Sequence, residues 1–485
     1  METQTLSPKT IEEHIVWHSI RATYLFYVAG ALYVVAPVLG WCLLLLLFYR
    51  YWHNQQNALA LPLKQIPLTL WLWVIGMGVM LLSLIVGHLD FDLGIGKLIK
   101  SSIGWAKGWA LLAIFPLLGC LKIRPEIIYR ATGHVCLHTL LLLPVFIGAW
   151  VLGLPQTLYV SPLQIIGGPG PEFFAMSLYE IDPSNGAPRW RLFTPWAPAL
   201  GFIANIFFIF ALQERDKKWK TIGISASIIM ALISASRLAL IALLIVWMAT
   251  WFIGKLRHPA SPFATAVGLT VAGSIALPIL QAFETLWQGF RSARAGSTRV
   301  RETLARIAMD RWQNEAPWWG HGIVERGPHL VEFMPIGSHH SWYGLLFVKG
   351  LVGLLALALP LSASLAQLAW WSHQLPIARV GLAMAILLFL YTFGENLEIL
   401  AYLIWPALLL MGIAHREISR ATHTNPALSA QSGEHPHAKN KHYYACLQCR
   451  SFRCRCHTIR TQTKLHRFRI TDYRRYVPRW QHRHL

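Results

Sequence analysis

The sequence predicts an all-α integral membrane protein. The expected architecture is a polytopic helical bundle of about eleven (ten to twelve) transmembrane helices carrying one large polar, helical loop. Three observations lead there. Of 485 residues, 55% are apolar and only 13% charged, too greasy and too evenly so for a soluble fold. Apolar stretches of roughly 17–25 residues recur along the chain, each long enough to cross a ~30 Å hydrocarbon core. The short loops between them carry Lys and Arg in a pattern that gives one consistent orientation.

Residues 1–23 form an N-terminal segment with Glu2, Glu12 and Glu13 and no signal-peptide pattern, so the first span is expected to stay in place as a signal anchor. Spans are expected at 24–49, 65–87, 103–121, 134–153, 196–212, 219–235, 237–254 and 260–282, then at 341–363, 377–394 and 398–414. The first is over-long and contains Pro37, which fits one tilted helix or a tight hairpin. The chain therefore divides into a helical block at 24–282, a polar loop at 283–340, a second helical block at 341–415 and a basic tail at 416–485. Within the first block, loop 154–195 carries Asp182-Pro-Ser-Asn-Gly186 between partly alternating flanks, the chemistry of a hairpin turn. Neither an internal repeat nor the inverted-repeat signature of a secondary transporter is evident.

Orientation comes from four short loops: Lys122, Arg124 and Arg130; Arg215, Lys217, Lys218 and Lys220; Lys255 and Arg257; and Arg379. All fall on the side of the tail, so that side is cytoplasmic and loops 154–195 and 283–340 face outward. In a bacterium this means the inner (cytoplasmic) membrane, with the large loop periplasmic.

The formal charge of +21 is less informative than it looks, because residues 416–485 hold fifteen Lys/Arg against three acids, a net +12 in one tail. Nothing in that distribution calls for a nucleic-acid partner. Cys446, Cys449, Cys454 and Cys456 lie within eleven residues, beside His442 and His457. Two states fit: a metal-bound knuckle, though zinc sites usually separate their ligand pairs further, or a disordered arm held to anionic lipid. Cys42, Cys120 and Cys136 fall in or beside apolar runs, so no disulfide framework is expected.

The polar loop is the chemically distinctive segment. It contains seven arginines (Arg291, Arg294, Arg299, Arg301, Arg306, Arg311 and Arg326), no lysine, and ends in Gly337-Ser338-His339-His340. Arginine clusters at outer helix ends run against the positive-inside bias, and guanidinium suits bidentate phosphate contacts. Ser297 and Thr298 can cap a helix reaching about Trp312, with Val300, Leu304, Ile307 and Ala308 as its apolar stripe. Arg306 and Arg311 fit a solvated face of i,i+3 and i,i+4 ion pairs. Arg291, Arg294 and Arg299 have few acids near them and sit at headgroup depth, where they fit either lipid anchoring or a clamp on a diphosphate. An imidazole at His339 or His340 suits a general base taking a proton from a hydroxyl, or simply an interfacial side chain. Arg237, Lys349 and Glu395 stand out as ionisable residues in apolar surroundings, with a Lys349–Glu395 ion pair as one resolution.

Ser297-Thr-Arg299, Trp318-Trp-Gly320-His-Gly322 and Gly337-Ser-His339-His-Ser-Trp-Tyr-Gly-Leu-Leu-Phe-Val-Lys349-Gly350, with the Ser236-Arg237 pair, resemble the O-antigen ligase/polymerase family over about residues 20–415. These are membrane glycosyltransferases using undecaprenyl-diphosphate-linked glycans. The resemblance implies that Arg299 and Arg237, then Arg294 and Arg291, contact the donor diphosphate. It implies that His339, with His340 second, activates a lipid- or glycan-hydroxyl acceptor. The reaction would invert the anomeric centre with no metal or other cofactor, in cell-surface or exopolysaccharide biosynthesis. Membrane lipids and polysaccharide-assembly proteins are the expected partners. Ligase and polymerase share this chemistry and stay open, as does the sugar. The alternative class is a transporter or flippase for polyprenyl-linked or anionic sugars, which should carry broken helices near the bilayer midplane.

Overall fold

The structure is a computed structural model and describes residues 6–53, 65–182, 186–255, 295–331 and 333–424. The expected span at 260–282, the tail beyond residue 424 and the cysteine cluster lie outside the described residues. The described chain is mostly helical with little sheet, as an all-α membrane protein requires. Six of its helices are long and apolar enough to cross a membrane.

The helices are α1 (Ile11–Arg21), α2 (Thr23–Val28), α3 (Leu32–Trp52), α4 (Leu68–Asp90), α5 (Ile95–Lys107), α6 (Leu111–Leu118) and α7 (Pro125–Val151). Then follow α8 (Ala197–Gln213), α9 (Lys217–Ile233), α10 (Arg237–Lys255), α11 (Ala295–Glu315), α12 (Ser341–Trp371), α13 (Pro376–Tyr391) and α14 (Leu397–Thr424). The over-long first stretch resolves into α2 and α3, and α3, with Pro37 inside it, is the candidate span. α5 and α6 together make one candidate span, Ile95–Leu118. α8, α10 and α13 are apolar but shorter.

α14 is the central element. Some 89% of its apolar stretch is buried, against 28% for α7, and it packs on α3, α6, α8 and α13. It also runs to Thr424, past the expected boundary of the tail at 416. Arg416 is therefore a buried residue, not the start of a solvated arm. Its guanidinium donates to the carbonyls of Gly119 (2.9 Å), Leu121 (2.6 Å) and Ile123 (3.2 Å), closing the turn after α6. Those carbonyls have no helical partners, and a five-donor fork satisfies all three at once.

The acids of the N-terminal segment are also structural. Thr10 caps α1, and Glu12 and Glu13 are buried against Arg50 and Arg124. Burial alone would raise the Glu13 carboxyl. The Arg124 side chain and the N–H groups of Lys9 and Arg124 outweigh it and hold Glu13 below the usual glutamate range. A depressed carboxyl contributes stability above its unfolded pKa and loses it as pH falls through the folded one. Glu13→Gln should therefore lower the thermal midpoint at pH 7, by about 1–2 kcal/mol. The gap to wild type should narrow as pH falls below the usual glutamate range and through the folded pKa of Glu13; a gap that stays constant over that acid range would refute the pairing.

Loop 154–195 folds into two small antiparallel ladders. β1 (Thr157–Val160) pairs with β2 (Ala175–Ser177), and β3 (Glu180–Ile181) pairs with β4 (Pro188–Arg189) around the Asp182–Gly186 turn.

α12 is kinked at Gly350, whose φ of +62° breaks the helical ladder. The segment 317–322 repairs the break. The N–H groups of Leu351 and Val352 reach Pro317 and Trp318 carbonyls, while His321 and Gly322 N–H groups reach Phe347 and Val348 carbonyls (2.9–3.2 Å). A Cβ at Gly320 would stand 2.4 Å from the Lys349 nitrogen, so only glycine allows this approach. The Gly-His-Gly motif is thus the patch on a helix kink.

Candidate active site

α11 is fixed on α12 by Ala308, Ile336 and Phe347 on one side and Val300, Leu304 and Val331 on the other. Arg311, half-buried at the edge of this stripe, makes the expected i,i+4 ion pair. It pairs with Glu315 (2.8 Å) and Glu325 (2.5 Å), and its guanidinium stands 5.0 Å from the Phe347 ring. His321 stacks on the same ring and meets Glu315 at 2.7 Å. This knot sets the rotation of α11, and the rotation decides which arginine faces the histidines.

That arginine is Arg301. It is the cation that acts on both His339 and Glu395. Arg299 and Arg301 are both exposed, but only Arg301 acts on these two groups; Arg291 and Arg294 lie outside the described residues. Helical arithmetic could have found this. At about 100° per residue, Arg301 sits about 20° from Ala308 and about 60° from Leu304, while Arg299 sits about 140° from Leu304. The sequence motif Ser-x-Arg pointed to Arg299; the packed stripe favours its neighbour two residues on.

The two histidines have different jobs. His339 adopts φ +63°, a left-handed conformation that non-glycine residues adopt only where the surroundings impose it. Part of the constraint is Gly337, also left-handed, which lies so close to α12 that a Cβ would come 2.5 Å from the Gly344 Cα. His340 is the N-cap of α12: its Nδ1 accepts from the Tyr343 N–H at 3.4 Å, and its own N–H donates to Asn396 Oδ1 at 3.1 Å. It is engaged by the backbone, whereas His339 faces Arg301. Burial pushes both imidazoles down to about 4; Arg301 adds to the effect at His339. Both are therefore neutral at pH 7 and each keeps a lone pair.

The turn between α13 and α14 completes the site. Glu395, 2% exposed, accepts from the Trp196 indole at 3.1 Å. Its carbonyl accepts from the Ser341 hydroxyl at 2.7 Å, and that hydroxyl accepts from the Leu397 N–H. Burial pushes the Glu395 carboxyl up to about 7, against the opposing pull of Arg301 and Trp196. Glu395 thus sits in a turn outside the helices and makes no ion pair with Lys349 among the described residues. The carboxylate that acts on Lys349 is Glu398, one turn into α14.

Arg237 is the first residue of α10, and Leu238 beside it packs against Gly394. The start of α10 therefore borders the turn that holds Glu395. Arg301, Trp196, Glu395 and Asn396 were not singled out as partners of the histidines, because their convergence involves segments nearly 200 residues apart. No protein-family model and no curated protein matches this chain.

Proposed function

We propose that the chain is a membrane glycosyltransferase of the O-antigen ligase/polymerase type. It would transfer or polymerise glycans from an undecaprenyl-diphosphate carrier onto a hydroxyl acceptor, on the outer face of a bacterial inner membrane. The finer architecture belongs with this proposal: about eleven spans, the tail cytoplasmic and the arginine loop periplasmic. One observation carries the reading. A neutral histidine in a left-handed conformation, His339, directly before helix α12, lies under the charge of Arg301.

In the proposed reaction the acceptor oxygen attacks the anomeric carbon from the face opposite the diphosphate. His339 takes the hydroxyl proton as the new C–O bond forms. The bond between the anomeric carbon and the diphosphate oxygen breaks, and its electron pair leaves on undecaprenyl diphosphate. Arg301 stabilises the charge of that leaving group, with Arg237 and Arg299 as further contacts and Arg291 and Arg294 as candidates on the same loop. Glu395 would temper the charge of Arg301.

The decisive test incubates detergent-purified protein with lipid-linked oligosaccharide and acceptor, then measures glycan transfer and release of polyprenyl diphosphate. No transfer from any such donor would refute the proposal. Within it, Arg301→Ala should reduce kcat/KM for the donor by roughly 10²-fold or more, and Arg299→Ala by less than about tenfold. The opposite ranking would return the diphosphate to Arg299.

A further inference from the structure

Beyond Trp196, on the side away from Glu395, the structure contains a cleft. Its walls include the rings of Tyr27, Phe173, Phe193 and Tyr402, and Thr194 and Glu172 contribute polar groups. The rings are buried, while Glu172 and Leu32 are half-exposed and mark the mouth. The inner part has room for about one water molecule, at about 10 Å³, and the open cleft encloses about 240 Å³ including solvent at its mouth. Trp196 joins it to the candidate active site: its ring meets Phe173 edge-on at 5.7 Å while its indole N–H is donated to Glu395.

The polar groups here are not those of a merely filled core. Tyr402 is 3% exposed, yet its hydroxyl has no hydrogen-bond partner among the described residues. By contrast, the Tyr27 hydroxyl is fully used, donating to the Ser177 carbonyl at 2.6 Å and accepting its N–H at 2.8 Å. Buried polar groups are normally paired, so an open one at a cleft points to a ligand with hydroxyls.

We propose that this cleft is a pyranose subsite, in which one sugar ring lies against the Phe173–Tyr402 wall and an exocyclic hydroxyl or hydroxymethyl group fills the inner space. A pyranose has the required two-sided chemistry. Its C–H face is apolar and lies against aromatic rings, and its hydroxyls pair with Tyr402 and with the Glu172 carboxylate. A polyprenyl chain would leave both of those unpaired, and an anion would meet Glu172. The proposal rests on the glycosyl-transfer reading and names where a sugar of the donor or of the acceptor is gripped, linked through Phe173 and Trp196 to Glu395.

The test is saturation-transfer NMR on the full-length protein in a sugar-free detergent. The probes are methyl β-D-glucopyranoside and its galacto and manno epimers. Transfer to ring protons of at least one epimer is expected, with Kd raised about fivefold or more in Glu172→Gln and in the shape-preserving Tyr402→Phe. Absence of binding for all three probes, or equal affinity in wild type and both variants, overturns the subsite. In the turnover assay, a rise in the donor KM alone places the donor's sugar there, and a rise in the acceptor KM alone places the acceptor's. Turnover with both KM values unchanged overturns the subsite and leaves the transferase standing. Probe binding that the variants weaken, without turnover from any lipid-linked donor, keeps the subsite and sinks the transferase.

Discussion

His339→Asn is expected to lower glycan transfer by roughly 10²–10⁴-fold, the range for loss of a positioned general base. Asparagine is the informative replacement because it tolerates the left-handed backbone that His339 adopts at φ +63°. The site's geometry then survives while the base is removed. His340→Ala should behave differently. It removes an N-cap from α12, costing about 1 kcal/mol of stability, and should leave kcat within about tenfold of wild type. The pH dependence offers an independent check. Because burial holds His339 at about 4, kcat/KM should fall on the acid side only as pH approaches about 4, not through the ordinary imidazole range. Bound diphosphate brings negative charge beside the imidazole and favours its protonated form, so the acid limb of kcat should lie at higher pH than that of kcat/KM. A separate step near pH 7 that vanishes in Glu395→Gln would belong to Glu395. Full activity in His339→Asn would remove the histidine from the chemistry.

The largest stability effect is expected at Arg416. Arg416→Met should destabilise the protein by about 3–5 kcal/mol, seen as a fall in the thermal midpoint in detergent. The loss is not mainly one of charge. The turn carbonyls of Gly119 and Ile123 would lose the Arg416 donor, and that of Leu121 would keep only the Ile123 N–H at 2.8 Å. Arg416→Lys should recover only part of it, since an ammonium on a flexible stem cannot reach three carbonyls in the geometry of a planar fork. A midpoint unchanged in Arg416→Met would mean that water satisfies the turn.

How much was legible in the sequence differs by residue. The helical ladder of α7, α8, α13 and α14 follows from runs of apolar residues bounded by proline or charge, a purely local signal. The hairpin around Asp182–Gly186 is local too, because turn chemistry is written in consecutive residues. His339 could be selected by its motif, but its strain could not, since that depends on Gly337 lying against the first turn of α12. The Ser-x-Arg resemblance favours Arg299, although the apolar stripe of Val300, Leu304, Ile307 and Ala308 already places Arg301 nearer the packed face. Lys349 and Glu395 were paired because both are ionisable in apolar surroundings. A shift of three residues, to Glu398, is one helical turn, and sequence spacing between two distant helices does not say which turn faces which.

The sequence by itself determined that this is a helical membrane protein with a distinctive arginine- and histidine-bearing loop, because span length and hydrophobicity are properties of contiguous residues. Only the tertiary structure decided that the charge of Arg301 acts on both His339 and Glu395, that Arg416 is a core residue, and that Trp196 links Glu395 to an aromatic cleft. Each of these depends on the rotation of one packed helix against another. That rotation is set by side chains such as Phe347 and Leu304, which meet only when segments distant along the chain come together.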